Sequence, residues 1–504
     1  MSEVATKELP GNWVQGQIKD LVTIRNGYAF KSKDFKDEGG VPVIRQTNLS
    51  SRIVNFNKPK YLPIEFLDEF ESYKINKGDV LIGLSGSIGN LSRYLLDDPA
   101  LQNQRTGLLV ENVPGSIKYV EYYLQLIKEQ LLDAAKGVAV QNISSKTIES
   151  WNLPIAPSEQ QKRIVAKIEK LFSHIDAGIE ALKKAKQLLK QYRQSVLKAA
   201  VTGELTKEWR EVNKADLEPA SDVHGSTSAV VAGREGAAQL LERILKERRQ
   251  KWEEQQLEQF KAKGKMPKDD KWKGKYKEPK TIGADNEMFP REWVRVSLDQ
   301  ILASPLINGL SVKGSDDPPG VAALKLNAIS NGTLDFSKRR YLPIHESDVS
   351  NLFIKKGDVF ISRGNGSLHL VGRAAIADSI EMEAIFPDTM IRARISDQYY
   401  IHDLFLLYWN SGYIRSQIES AVKTTAGIWK ISQAQLKGIT LPLPTLEEQR
   451  EICSVASEKL SAANRLETEI NSQLIKANKN KQSILASAFS GRLKDMGHQF
   501  NGTS

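Results

Sequence analysis

The residues best suited to chemistry lie in polar loops that follow short apolar runs, and such loops occur in both halves of the chain. In the first half they carry amide, hydroxyl and guanidinium groups: Arg45, Gln46, Asn48, Ser85, Ser87, Asn90, Arg93, Gln102, Asn103, Gln104 and Arg105. In the second half they are Lys325, Asn327, Arg363, Asn365, Ser367, His369 and Arg373. Arg or Lys can bind guanine edges, and Asn or Gln can bind adenine edges. These residues are therefore candidates for reading bases, with ordinary hydrophilic loops as the alternative.

Motifs that would indicate catalysis are absent or incomplete in the sequence. The run Asp317-Pro318-Pro319-Gly320 is similar to the Asp-Pro-Pro-aromatic motif of amino-methyltransferases, but glycine replaces the aromatic residue, so we predict a turn. The glycine-rich run from Gly83 to Gly89 lacks the Lys-Ser/Thr pair of a phosphate-binding loop. A single cysteine, Cys453, and six histidines argue against a structural zinc site. We predict no catalytic residues, no metal and no cofactor in this chain.

Composition restricts the class of protein and its compartment. The chain has 504 residues, too many for one compact core, and a formal net charge of +10. Residues 1–152 are neutral and residues 290–440 carry only +2, whereas residues 153–205 carry +5 and residues 240–280 carry +6. The single cysteine favours a reducing cytoplasm, and no apolar run is long enough to span a bilayer. The charge hints at a polyanionic partner but does not mark the loops that would bind it.

The chain contains a long internal repeat. Trp13 corresponds to Trp293, and the run Tyr-Leu-Pro-Ile recurs at 61–64 and 341–344, both at an offset of 280. Lys-Gly-Asp-Val recurs at 77–80 and 356–359, and Leu-Pro recurs at 153–154 and 441–442. Because the landmarks keep their order, we predict two similar globular units, each followed by a helical segment.

Heptad spacing predicts that the helical segments are long. In the first, apolar residues recur every seven positions at Ile168, Ile175, Leu182, Leu189 and Val196, with a second row at Ile164, Leu171, Gly178, Ala185, Tyr192 and Ala199. The second segment has a looser stripe: Val455, Ala462, Leu466, Ile470, Ala477, Ile484 and Ala488. Ser158 to Gln161 suggests a capping box, and Gly203 and Gly491 suggest helix ends. Such a seam could also pack inside one core or form a homodimer.

These patterns predict an α+β protein of two similar mixed α/β domains separated by two long helices. The predicted boundaries are residues 1–152 and 290–440 for the domains, 153–205 and 441–493 for the helices, 206–289 for a linker, and 494–504 for a tail. Antiparallel pairing of the helices as a coiled coil would convert the tandem repeat into a pseudo-two-fold, circular arrangement.

The linker has two open interpretations. Its flexible part from Pro219 to Gly236 precedes a charged helix from Leu240 to about Lys263, and a Lys/Trp-rich stretch follows. Trp252, Trp272 and Tyr276 alternate with lysines, as in segments that contact phosphates. A solvated charged arm is the alternative interpretation.

The layout resembles the specificity subunit of type I restriction–modification enzymes over essentially its whole length. The resemblance is carried by Leu153-Pro154-Ile155 through Glu159-Gln160-Gln161-Lys162-Arg163-Ile164 and by Leu441-Pro442-Leu443-Pro444 through Glu448-Gln449-Arg450-Glu451-Ile452. The helix ends, Gly203-Glu204-Leu205 and Gly491-Arg492-Leu493, also match. One departure is Ala156, where the second copy has Pro444, and another is the long basic linker.

The resemblance implies a non-catalytic subunit that recognises double-stranded DNA. Each domain would be a target recognition domain that reads one half of a bipartite, asymmetric site, while the paired helices would set the spacer between the halves. Two modification subunits, holding S-adenosylmethionine and methylating adenine, would dock on the helices, and motor-nuclease subunits would join for restriction in phage defence. No membrane partner is implied.

Two other function classes stay open at this stage. A solitary methyltransferase or nuclease would bind its cofactor or metal by itself, which a binding assay on the purified chain would reveal. A scaffold with two ligand-binding modules on a coiled coil would show no strongly salt-dependent DNA binding in its assembled complex.

Overall fold

The computed structural model describes residues 9–57, 59–136, 142–213, 235–279, 281–282, 288–330, 332–425 and 427–493. Contacts divide the chain into two compact units: residues 1–185 with 469–504, and residues 186–468. Each unit contains one predicted recognition domain and part of each long helix. The predicted flexible part of the linker and the tail lie mainly outside the described residues.

The first unit is built from ten strands, four short helices and its share of the long helices. The strands are β1 (Val14–Gln17), β2 (Val22–Asn26), β3 (Val41–Ile44), β4 (Tyr61–Leu62), β5 (Lys74–Ile75), β6 (Val80–Gly83), β7 (Leu91–Arg93), β8 (Ala100–Gln102), β9 (Thr106–Glu111) and β10 (Asn152–Ile155). The helices are α1 (Phe66–Glu69), α2 (Ile117–Leu126), α3 (Lys128–Ala134), α4 (Ser145–Glu149) and the long α5 (Ser158–Val201).

The second unit repeats this plan with additions. Its strands are β11 (Val294–Ser297), β12 (Leu302–Asn308), β13 (Val321–Leu324), β14 (Ile329–Ser330), β15 (Thr333–Leu334), β16 (Arg339–Leu342), β17 (Asp358–Ser362), β18 (Gly364–Asn365), β19 (Ala374–Ile376), β20 (Met390–Ile395), β21 (Lys423–Thr425), β22 (Ile428–Lys430) and β23 (Thr440–Leu443). The helices are α6 (Lys207–Val212), α7 (Ala237–Ala262), α8 (Leu298–Ile301), α9 (His402–Trp409), α10 (Gly412–Ala421), α11 (Gln433–Lys437) and the long α12 (Leu446–Phe489).

Sheet topology confirms that the two domains are copies of one fold. The first unit has the strand order β2-β9-β6-β7, and the second has β12-β20-β17-β19 as part of a six-stranded sheet. The strand before each long helix pairs with the strand after each tryptophan: Val14 lies opposite Ile155, and Val294 lies opposite Leu443. The two pairs are related by the repeat offsets: Val14 and Val294 are 280 residues apart, and Ile155 and Leu443 are 288 residues apart. The predicted mixed α/β fold class is thus confirmed.

The repeated Lys-Gly-Asp-Val run forms a tight turn into a buried strand in both domains. Gly78 and Gly357 have φ angles of 97° and 83°, which strongly favour glycine. The Asp79 carboxylate accepts the backbone N–H of Asn76 at 2.8 Å, and Asp358 accepts that of Lys355 at 2.9 Å. Strands β6 and β17 follow and are buried throughout. The turn therefore places the residues after each strand at the far end of the sheet.

A tryptophan near the start of each domain bonds to the start of a long helix. The Trp13 indole Nε1 donates to Gln160 Oε1 at 2.9 Å, and the Trp293 indole donates to the buried Glu448 Oε2 at 2.6 Å. The next residue of α5 also bonds to the segment before the helix, since the Gln161 side chain donates to the Ala156 carbonyl at 2.7 Å. Helix α5 begins at Ser158 itself, so the predicted capping role of Ser158 is wrong. The Pro157 carbonyl accepts the first backbone bonds of the helix, from the N–H groups of Gln160 and Gln161 at 2.8 and 3.0 Å.

The second copy surrounds its buried carboxylate with cationic and polar donors. Arg210 Nη1 lies 2.5 Å from Glu448 Oε1, and the Thr206 hydroxyl donates to the same oxygen at 2.6 Å. Arg210 also donates to the Gly203 carbonyl at 2.7 Å. Gly203 ends α5 with a φ of 77°, as predicted, and packs on Pro290. Gly491 ends α12 and packs on Pro10 in the equivalent way.

The long helices pack antiparallel within each unit. In the first unit, Lys481 forms an ion pair with Asp176 and lies 4.9 Å from the ring centre of Phe172. In the second unit, Glu467 pairs with Arg193 at 2.6 Å and with Lys186 at 3.7 Å. The prediction that the two long helices pair antiparallel is confirmed.

The heptad rows are only partly buried. Ile168, Leu189 and Val196 are buried as predicted. Tyr192 and Leu466, assigned to the seam from spacing, are instead exposed by 42% and 57%. Burial is concentrated near the domains, where Phe172 and Ile484 join the core of the first unit. The prediction was wrong for Tyr192 and Leu466, although the neighbouring Arg193 and Glu467 join the two helices there, because the heptad period alone does not show which apolar side chains turn toward the partner helix.

The linker helix α7 is part of the second unit rather than a free arm. Its first turns bury Leu240 and Ile244 in the core. Arg248 pairs with Asp299 at 3.4 Å. Further along, the rings of Trp252 and Trp272 stack with centres 6.0 Å apart. The aromatic residues therefore pack on one another, and their alternation with lysines reflects a small apolar cluster.

Candidate nucleic-acid interface

The three predicted segments of the first domain lie side by side. Strand β3 runs parallel to β8, with Ile44 opposite Gln102, so the residues after both strands are neighbours. The Asn103 amide donates to the Ile44 carbonyl at 3.0 Å, and the Leu84 amide donates to the Arg105 carbonyl at 3.1 Å. The fold thus gathers the loops 45–48, 84–90 and 103–105 at one edge of the domain.

Within this group, several predicted residues are accessible. Gln104 and Arg105 are exposed, and five others are partly exposed: Arg45, Gln46, Ser87, Asn90 and Asn103. The Gln46 amide lies against Gly86, where a Cβ atom would come within 3.1 Å of it. Glycine at position 86 therefore allows the first and second loops to touch. Asn90 is less available, since its Nδ2 donates to the Leu49 carbonyl at 2.8 Å.

Three predicted residues of the first domain are buried and serve the loops themselves. Asn48 accepts the Arg45 backbone N–H at 2.9 Å and donates to the Asn55 carbonyl at 2.8 Å. Gln102 is fully buried and donates to the Arg25 and Thr106 carbonyls. Ser85 is also buried. We correct the sequence assignment for these residues: they shape the loops and present no side chain at the surface.

Arg93 lies apart from the gathered loops. It ends β7 opposite Val80, at the Lys-Gly-Asp end of the sheet. Its guanidinium donates to the Gly78 carbonyl at 2.7 Å and pairs with Glu121 at 2.7 Å. Arg93 is thus a second correction, because strand β7 carries it back along the sheet and away from the reading edge.

In the second domain, the predicted loops surround a cleft of about 480 Å³. Its lining consists of Leu326, Asn327, Ile329, Ser362, Asn365, Leu370 and Arg373. Three of the predicted residues, Asn327, Asn365 and Arg373, therefore converge on one place. The buried Ser362 hydroxyl has no hydrogen-bond partner among the described residues. A polar ligand could supply that partner, and Ser362 begins the polar run 362–369 that follows the strand in the sequence, although it was not among the predicted site residues.

The remaining predicted residues of the second domain are not part of the cleft lining but lie next to or near lining residues in the sequence. Ser367 and His369 are exposed, while Lys325 is partly exposed and pairs with Asp316 at 2.6 Å. Arg363 is partly buried, and its Nη1 donates to the Asp388 carbonyl at 3.3 Å. Arg373 is exposed, so its guanidinium is the more accessible of the two.

Two residues on α9 and α10 position the loop 368–372 of the second domain through hydrogen bonds to its backbone. Arg415 on α10 donates to the Val371 carbonyl at 2.6 Å and the Leu368 carbonyl at 3.1 Å. The Trp409 indole on α9 donates to the Gly372 carbonyl at 2.7 Å. The sequence carries no signal for these side-chain-to-loop bonds.

The described residues offer little to covalent or metal chemistry. Burial raises the pKa of the Cys453 thiol to about 12, with nearby Asp403 and Asp397 adding to the shift, so this thiol is not a ready nucleophile at neutral pH. In the described part of the chain, no group of three or more His, Cys, Asp or Glu side chains could hold a metal ion. Nor does any helix in these ranges combine the length and apolar character needed to cross a membrane.

Comparison with known proteins gives a consistent result across nearly the whole chain. The family model for the type I restriction modification DNA specificity domain matches residues 10–189 and 250–476. The specificity subunit of the type I restriction enzyme EcoKI of Escherichia coli K12 is 24% identical over 496 residues, covering 96% of this chain and 90% of that protein. The StySPI specificity subunit of Salmonella potsdam is 23% identical, with 96% and 90% coverage.

A solved structure extends the likeness to the fold. It comes from work on complex assembly and conformational transition of the type I R-M system, and it matches 97% of this chain and 100% of its own with a TM-score of 0.60 at 15% identity. The family model covers well over half of the chain, including both copies of the repeat. The chain belongs to the family of type I restriction–modification DNA specificity domains, and the prediction of a non-catalytic specificity subunit is confirmed.

Proposed function

We propose that each domain of this chain reads one half of a bipartite, asymmetric site on double-stranded DNA. The observation that carries the proposal is the contrast between copies: strand order and the Lys-Gly-Asp turn are shared, while the gathered loops differ. The first domain presents Gln104 and Arg105, and the second presents Arg373 and Asn327 around a cleft. One scaffold with different polar side chains suits two unrelated half-sites.

The long helices are the proposed docking surface for two modification subunits. In the second unit, Leu188 is 55% exposed, and Tyr192 lies one turn further along the same face of α5. Exposed apolar side chains on paired helices suit a protein partner. S-adenosylmethionine would bind in the modification subunits and not in this chain, and motor-nuclease subunits would complete the restriction complex.

Mapping of modified adenines tests the proposal directly. Co-expression of the chain with the methyltransferase gene beside its own should produce a bipartite methylated motif across the host genome. A matched strain that expresses the methyltransferase without this chain is the control. A motif that persists in the control, or methylation at no defined site, would contradict the proposal.

The ruler function of the helices needs its own experiment. Lengthening α5 and α12 together by two heptads, in the stretch around Gly178 and Ala477, should change the tolerated spacer or abolish assembly. A methylated motif with an unchanged spacer would contradict the proposal that the helices set the spacer length, and it would leave the proposal of sequence recognition intact.

A further inference from the structure

A small β-ribbon adjoins the reading loop of the second domain. Strands β21 and β22 pair antiparallel, with Lys423 opposite Lys430 and Thr424 opposite Trp429. Strand β22 also pairs with β18, so that Lys430 lies opposite Gly364 and Trp429 lies opposite Asn365. Asn365 lines the cleft with Ser362. The ribbon thus extends the candidate interface by a segment outside the loops considered so far.

The first domain forms the same pairing at the corresponding position. Ser85 bridges Asn142 in antiparallel fashion, and these residues correspond to Gly364 and Lys430 by the repeat offsets of 279 and 288. Both segments lead into a short capped helix, with Ser144 and Ser432 as the N-caps. The shared pairing shows that the ribbon position belongs to the duplicated scaffold. The residues just before Asn142, 137–141, lie outside the described ranges.

The two faces of the ribbon have different environments. Trp429 is partly buried and packs against the core of the second unit, which fixes one face. On the other face, Lys423 and Lys430 are exposed, and Ile428 is 44% exposed. Like charges directly opposite each other on a ladder are destabilising. No carboxylate among the described residues forms an ion pair with either lysine, so the face carries an uncompensated positive pair beside an apolar side chain.

We infer that this ribbon enters the major groove of the second half-site, with both lysines on phosphates and Ile428 against base edges. The inference deepens the proposed function and rests on it. The major groove of B-DNA admits a two-stranded β-ribbon, and an apolar side chain can contact a thymine methyl group there. Phosphate contacts neutralise the opposed ammonium groups, and each such contact releases counterions.

The test compares two double variants of equal charge change in the assembled complex with its modification subunits. In K423Q/K430Q the ribbon loses both lysines. In K355Q/K356Q two exposed lysines are lost before β17, at the opposite end of that strand from Ser362. The affinity for a duplex containing the methylated motif is measured as a function of salt concentration. The slope of log K against log salt should fall in magnitude by about 2 for the ribbon variant and change little for the control.

Several outcomes would overturn the inference. Equal slopes in wild type and K423Q/K430Q, or the same decrease in the control, would remove the ribbon from the interface. Loss of subunit assembly in the absence of DNA would identify an acidic protein as the partner of these lysines. Thermal unfolding of each variant shows whether the fold is retained.

A second variant tests the base-edge contact. I428S should relax the methylated motif at one or two base pairs of the second half-site and leave the first half-site unchanged. An unchanged motif would refute groove insertion. If the wild-type complex methylates no bipartite motif, the proposed function itself fails, and that result is distinct from failure of the ribbon alone.

Discussion

The two copies of the scaffold use the same hydrogen bond with different electrostatics. In the first unit the indole of Trp13 donates to the neutral, partly exposed amide of Gln160. In the second unit the indole of Trp293 donates to the Glu448 carboxylate, which is fully buried. A buried charge needs a counter-charge and further donors, and Arg210 and Thr206 supply them. The second copy has thereby joined the segment after α5 to the start of α12.

The same hydrogen-bond geometry in the two copies therefore does not imply the same energy. The neutral bond of the first copy can be lost at the cost of one ordinary hydrogen bond. The charged network of the second copy makes each member dependent on the others, because removal of one leaves a buried ion without its partner.

The largest effect should come from R210A. It leaves the Glu448 carboxylate buried without its cation, and we expect a loss of about 3–5 kcal/mol in the free energy of unfolding. Denaturant titration of the purified chain measures the loss. The double variant R210M/E448Q, which imitates the neutral first copy, should be clearly more stable than R210A. A double variant as unstable as R210A would show that the arginine acts through packing rather than through charge.

A smaller difference in the free energy of unfolding should separate substitutions at the two tryptophans. W293F removes a donor to a carboxylate, for which we expect a loss of about 1.5–3 kcal/mol, whereas W13F removes a neutral bond worth about 0.5–1.5 kcal/mol. Both variants keep an aromatic ring in place, and because Arg210 also lies 5.5 Å over the Trp293 ring, the difference between them reports the charged network around Glu448. Equal losses would mean that charge on the acceptor has no influence here.

The loops should differ in which half-site they serve. R373A should weaken recognition of the second half by about 1–3 kcal/mol if the guanidinium binds guanine through two hydrogen bonds. R363A, the variant suggested by sequence alone, should have less effect on specificity, because Arg363 is bonded to the Asp388 carbonyl. Competition binding with duplexes altered in one half at a time measures both. An equal loss at both half-sites would contradict the assignment of Arg373.

The smallest effect should come from the helix pair. Hydrogen bonding and the charge of Arg193 lower the pKa of Glu467. Its contribution to stability is therefore present above the ordinary Glu pKa and is lost as the pH falls through the lowered value. E467Q should be slightly less stable than wild type at pH 7 and equal to it at low pH. A difference that persists at low pH would exclude the ion pair as its cause.

Much of the fold could be predicted because it depends on local patterns. Lys-Gly-Asp-Val specifies a turn and a buried strand, and repeated landmarks such as Trp13 and Trp293 revealed the duplication. Heptad spacing predicted the helices but not the exposure of Tyr192, since the period does not show which apolar side chains turn toward the partner helix. The ribbon of β21 and β22 was missed because its pairing with β18 joins segments more than fifty residues apart.

The candidate site was less predictable, for a physical reason. A polar side chain in a loop can face solvent or satisfy the loop's own backbone, and residue type does not distinguish the two. Asn48 and Gln102 bond to backbone groups of the loops, while Arg105 and Arg373 face solvent. Ser362 ends a buried strand, so its position resembles the core, yet its hydroxyl lines the cleft.

The division of the first unit between the two ends of the chain has a consequence for synthesis on the ribosome. Its core contains Ile168 and Phe172 together with Ile484 and Phe489, and Gly491 packs on Pro10. The domain translated first therefore cannot complete its core until about 300 further residues have emerged. At ordinary translation speeds this delay is roughly 15–60 s. During that interval an apolar face of the nascent chain stays open, until residues 484–491 emerge and complete the core of the first domain.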